Sequence, residues 1–141
     1  APNLAALLMQ VEGEGDAMAA VTDLRQNPSN DALVLLAAIG AHHYHGPIDD
    51  SVFEGLFSRR ENPLVADLCF FLIRLPGVSL CTIRLAFRCL CGAKDPRAFD
   101  LGKILLPQDV QMFPMDIAKS LALLAPDERV VELLIAQAQG G

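Results

Sequence analysis

The chain has 141 residues, 52% of them hydrophobic, with seven Phe, one Tyr and no Trp. That size and composition predict one domain over 1–141, with a core of close-packed Leu, Ala, Val and Ile rather than a sheet sandwich. Seventeen acids against eleven bases give a net charge of −6, which disfavours a nucleic-acid partner. The apolar runs 32–41 and 64–73 are too short for a bilayer of about 30 Å, so no membrane association is expected.

The N-terminal segment has no basic start followed by an apolar run and so lacks a secretory pattern. Its first residue is not Met, which leaves room for a longer parent chain. Asn3 is a cap for a helix to about residue 12, and Asp16 for a weaker one over 16–26 whose stripe is mostly Ala with Met18, Val21 and Leu24. A third helix runs from Asn30 to Tyr44 or His45, ended by Gly46 and Pro47. Asp49 then caps a fourth, with Val52, Phe53, Leu56 and Phe57 on one face and Arg59 and Arg60 at its negative end.

Asn62 followed by Pro63 opens a helix over 63–74 that is apolar nearly all round and therefore central. Ser79 starts the next, which Gly92 closes. Asp95 and Pro96 repeat the opening signal for a helix to Leu105, ended by Pro107. A short helical turn follows, then a helix over 115–124. Pro126 opens the last one, with acids in its first turn and Gly140 and Gly141 after it.

The expected fold is all-α, about nine or ten short helices packed as consecutive hairpins. Pro28, Pro63, Pro96 and Pro126 lie 35, 33 and 30 residues apart, one helix-turn-helix unit per interval, as in a right-handed helical-repeat stack. An orthogonal bundle would carry the same caps and stays open.

His42, His43 and His45 include a pair three apart on one helical face, but no further ligand set or H-E-x-x-H pattern accompanies them. Imidazoles in a last turn meet unpaired carbonyls, and that explains the cluster without a metal. Cys69, Cys81, Cys89 and Cys91 sit in apolar helical segments and read as reduced, buried thiols, hence a cytoplasmic protein. Arg84 and Arg88 beside Cys81, Cys89 and Cys91 would favour a thiolate, and a metal- or thiol-dependent enzyme is one alternative function. No phosphate loop, nucleophile elbow or isolated acid pair appears, so no catalytic residue, cofactor or small-molecule substrate is assigned.

Charge is distributed unevenly. Residues 59–103 hold eight bases (Arg59, Arg60, Arg74, Arg84, Arg88, Lys94, Arg97, Lys103) and four acids, net +4, against −7 over 1–58 and −3 over 104–141. This segment could steer an acidic partner or, in a second alternative, contact nucleic-acid phosphate. The hydrophobic load favours a non-enzymatic protein-interaction module, an adaptor, chaperone-like factor or scaffold domain, that binds a protein or a second copy of itself. Its expected contact residues are Phe53, Leu56, Phe57, Arg59, Arg60, Arg84, Arg88, Val130, Leu133 and Leu134, with the core as the competing claimant of either apolar stripe.

Overall fold

A computed structural model describes residues 14–42, 46–112 and 116–139. These form eight α-helices and one 3-10 turn: α1 (Glu14–Gln26), α2 (Asn30–His42), α3 (Gly46–Ser58), α4 (Pro63–Ile73), α5 (Leu80–Gly92), α6 (Arg97–Met112), α7 (Asp116–Leu121), η1 (Ala122–Leu124) and α8 (Glu128–Gln139). There is no strand among the described residues, so the all-α class holds. The helix expected over residues 3–12 lies outside them.

The local signals work where backbone chemistry alone decides. Asn62 Oδ1 accepts from the Leu64 N–H at 3.0 Å, Ser79 Oγ from Thr82 at 3.1 Å, and Asp95 Oδ1 from Arg97 at 2.9 Å. Each satisfies a donor that the first turn leaves unpaired, typically worth about 1 kcal/mol. Ser29 does the same for α2 through the Ala32 N–H, and Asp127 for α8 through Arg129.

Three boundaries differ from expectation. Gly46, at φ +53°, opens α3 rather than ending α2, and Asp49 is buried in the first turn of α3 instead of capping it. Pro107 lies inside α6. It withholds one N–H from an exposed face, where water can serve the orphaned carbonyl, and the helix continues. Gly92 does not close α5. Lys94 does, in the left-handed region at φ 55°, with its N–H on Cys91 O at 2.9 Å and the Asp95 N–H on Leu90 O at 3.3 Å. Those two bonds are the Schellman closure, which ordinarily selects glycine at the position Lys94 occupies.

The packing is that of a stack. Odd helices contact the next odd helix throughout (α1 with α3, α3 with α5, α5 with α7), and α2 packs on α4 and α6 on α8. Among the described residues, every well-packed α-helix pair is adjacent or next but one in the chain, with α4 and α6 not among the close pairs; nearest-neighbour packing of this kind is the pattern of stacked helical hairpins. Pro28, Pro63, Pro96 and Pro126 precede or open α2, α4, α6 and α8, so the proline period marks the even layer. The core between the layers is apolar, with Phe53, Phe87, Leu33, Leu36 and Leu90 among its largest fully enclosed side chains.

Arg59 shows how the layers are tied. Its guanidinium donates to the carbonyls of Asn27, at 2.9 Å, and Pro28, pinning the α1–α2 loop to the end of α3. Asn62 donates across to Asn30 Oδ1 at 2.8 Å, joining the starts of α4 and α2. No helix among the described residues is long and apolar enough to cross a membrane.

Candidate functional site

The ten expected contact residues divide. Phe53 and Leu56 are in the core, and so is Val130, while Leu133 and Leu134 are half-buried against it. Helical periodicity finds the apolar face of α3, but that face is spent on the interior. Arg59 is occupied with loop carbonyls. Among the described residues, the large apolar side chains that reach solvent are Val34, Phe71, Ile104, Leu123, Val131 and Ile135; two of these lie on α8, beside the stripe expected to make contacts.

Phe57, Arg60, Arg84 and Arg88 come together. The half-buried Phe57 ring of α3 lies under two guanidinium groups, Arg88 at 4.0 Å and Arg60 at 4.6 Å from its centroid, both within the range of attraction to a ring face. Gly92 permits this: a Cβ there would strike the Phe57 ring and crowd Arg60. The glycine read as a helix stop is therefore required by a side-chain contact. One turn back on α5, Arg84 stands on the same face as Arg88, and both line a pocket of about 310 Å³ between α5 and α7.

The pocket is walled by Leu85 and Leu123 and lined further by Asp116, Lys119 and Ser120. The Arg84 side chain is only 10% exposed, and its Nε lies 3.9 Å from Asp116 Oδ2, well beyond a close charge-assisted bond. From Arg60 through Phe57, Arg88 and Arg84 to Lys119, the odd layer thus carries a continuous cationic strip broken by one acid. Among the described residues, no carboxylate lies within ion-pair distance of Arg60, Arg88 or Lys119. Sequence reasoning missed Lys119, because it falls in the segment whose balance is acidic, and no local pattern marks it.

Four further bases are arranged differently. Arg74 and Arg97 flank the Phe70 ring at 4.8 and 4.4 Å, and Lys103 and Arg129 flank Phe99 at 5.7 and 4.4 Å. Here carboxylates close the groups. Arg97 binds Asp95 in two places, at 2.8 and 2.9 Å, and Asp67 at 2.9 Å; Arg129 binds Asp127 at 2.9 Å. Hydrogen bonding from Arg97 holds the Asp95 carboxyl below its ordinary range, outweighing partial burial, and raises the arginine in turn. Arg129 does the same to the half-buried Asp127.

Three of the four cysteines are buried and Cys81 is exposed, a departure from the expectation that all four are interior. A shared hydrogen bond with Cys89, reinforced by burial, pushes the Cys69 thiol up. Burial, with a smaller contribution from Cys89, pushes Cys91 up to about 12. Such thiols are poor nucleophiles at neutral pH. Iodoacetamide should label Cys81 alone in the native protein, as read by mass spectrometry, and all four only after unfolding.

His42 is exposed at the end of α2, while His43 and His45 lie outside the described residues. Among those described, no three His, Cys, Asp or Glu side chains are grouped as metal ligands would be.

No known protein family, characterised protein or solved structure matches the chain.

Proposed function

We propose that this chain is a non-enzymatic protein-interaction module that takes an acidic segment of a partner protein along the Arg60–Phe57–Arg88–Arg84–Lys119 strip. The observation carrying the reading is the absence of any close carboxylate at Arg60, Arg88 and Lys119 among the described residues, whereas the Phe70 and Phe99 groups each hold one arginine, Arg97 and Arg129, closed by aspartate. Such a surplus of positive charge on a protein of net charge −6 sets a local preference for anionic partners and speeds their encounter. The half-buried Phe57 gives the strip an apolar centre, the usual composition of an interface anchor.

A nucleic-acid reading fares worse. The bases of 59–103 are dispersed over the Phe57, Phe70 and Phe99 groups and the α1–α2 loop, so they offer no single phosphate track. A thiol enzyme is disfavoured by the burial of Cys69, Cys89 and Cys91.

The test is a pull-down from native extract with wild-type and Arg60→Glu/Arg88→Glu bait, each with nuclease-treated controls. Recovery of one defined acidic protein by the wild type, lost with the charge-reversed bait, is the expected outcome. Equal recovery by both baits, or recovery of nuclease-sensitive material only, would overturn the reading.

A further inference from the structure

Within the strip, the pocket between α5 and α7 has its own chemistry. Its lining holds Arg84, Arg88 and Lys119 against Asp116, a surplus of two positive charges. A phosphate monoester carries about −1.5 to −2 at neutral pH, whereas a carboxylate carries one charge. The donors suit the same ligand: planar guanidinium groups match phosphate oxygens in pairs, and a nearby ammonium adds a point charge. The walls add a second requirement. Leu85 and Leu123 are apolar, and about 310 Å³ exceeds what a bare anion fills, so the fitting ligand is a phosphoryl group on an apolar stem.

Two features make the pocket ready to bind. Stacking on Phe57 at 4.0 Å holds the Arg88 guanidinium in place, and the burial of Arg84 fixes its own; little side-chain entropy is then lost on binding. Asp116, half-exposed and 3.9 Å from Arg84 Nε, occupies the position an incoming anion would take. It competes as a weaker internal anion and can turn out to solvent.

We propose that this pocket is the subsite for a phosphorylated side chain of the partner protein, the phosphate exchanging with Asp116 at Arg84 while its stem lies between Leu85 and Leu123. The inference rests on the interaction-module reading, and its test stands apart from it.

The probe is phenyl phosphate, titrated into the full chain and followed by the arginine Nε–Hε resonances. Phenylacetate serves as the same ring with a single charge, and inorganic phosphate as the anion without a stem. Phenyl phosphate is expected to shift the Arg84 and Arg88 signals and to bind about tenfold more tightly than phenylacetate. Because Arg84 is buried, the substitutions are made at exposed positions: Arg88→Gln and Lys119→Gln should each weaken binding about tenfold. Asp116→Asn should strengthen it about threefold by removing the competitor.

Equal affinity for phenyl phosphate and phenylacetate would overturn the charge assignment, and equal affinity for inorganic phosphate would overturn the role of the apolar walls. Weaker binding by Asp116→Asn would overturn the exchange. Should the probe fail while the partner is still recovered in an Arg60-dependent way, the subsite falls and the module stands. Should the probe bind while no partner is recovered, the reverse holds.

Discussion

The Phe57 and Phe70 groups are built from the same parts and end in different states. Each sets a half-buried phenyl ring beneath two guanidinium groups, and each joins one helix to the next but one: α3 to α5 through Arg88, and α4 to α6 through Arg97. Around Phe70 the charge is consumed, since Asp95 and Asp67 both hold Arg97. Around Phe57 it is left over. Stacking of arginine on a ring is thus a way of fastening neighbouring hairpins in this fold, and the placement of aspartate decides whether the fastening also presents charge to a partner.

The comparison can be broken most directly at Gly92. Gly92→Ala drives a methyl group into the Phe57 ring, and such overpacking costs about 1–3 kcal/mol. Urea denaturation should show that loss together with weakened binding of the acidic partner. Retention of wild-type stability would mean that the close approach of α5 and Phe57 is slack. Opening the other group is the converse experiment. Asp67→Asn/Asp95→Asn should give the Phe70 group an affinity for an oligoglutamate peptide that the wild type lacks there, seen as new chemical-shift changes at Arg97. Asparagine still caps α6, so the fold should survive.

A smaller effect comes from pH. The folded Asp95 carboxyl titrates below its unfolded value of about 3.9. Its contribution is therefore complete above that value and fades as pH falls through the folded one. Arg97→Gln should cost about 1 kcal/mol at pH 6, a difference from wild type that shrinks below about pH 4. For Arg88→Gln the corresponding difference should stay flat, because no carboxylate is close enough to supply it. The smallest expected change is Asp67→Asn alone. Its side chain is 65% exposed, and a stability loss above about 0.5 kcal/mol would show that Asp67 and not Asp95 closes the Phe70 group.

Much of the fold was legible because helix ends are local. The caps at Asn62, Ser79 and Asp95 depend on a side chain and a backbone N–H two or three residues away, and the proline period reports the layer directly. Gly92 was misread because its reason lies on another helix, at Phe57. For Phe53 and Leu56 the choice between surface and core stayed open, because periodicity tells which face is apolar and not what covers it. The site was legible in part: Phe57, Arg60, Arg84 and Arg88 were all in view, but the separation of closed from open groups turns on which arginine an aspartate reaches, and Arg97 takes Asp95 two residues away and Asp67 across 30. Lys119 and Asp116 enter only through the α5–α7 contact, which no spacing announces.

The confinement of close packing, among the described residues, to helices adjacent or next but one in the chain has a kinetic meaning. No long loop has to close before packing begins, so the molecule should fold quickly for its size. Order can start at any hairpin and spread outward in both directions. The junction of α3 with α5 sits near the middle of that line, so anything that bridges Arg60, Arg88 and Arg84 would act as a splint. It would slow amide exchange in the central helices while the terminal ones continue to open and close.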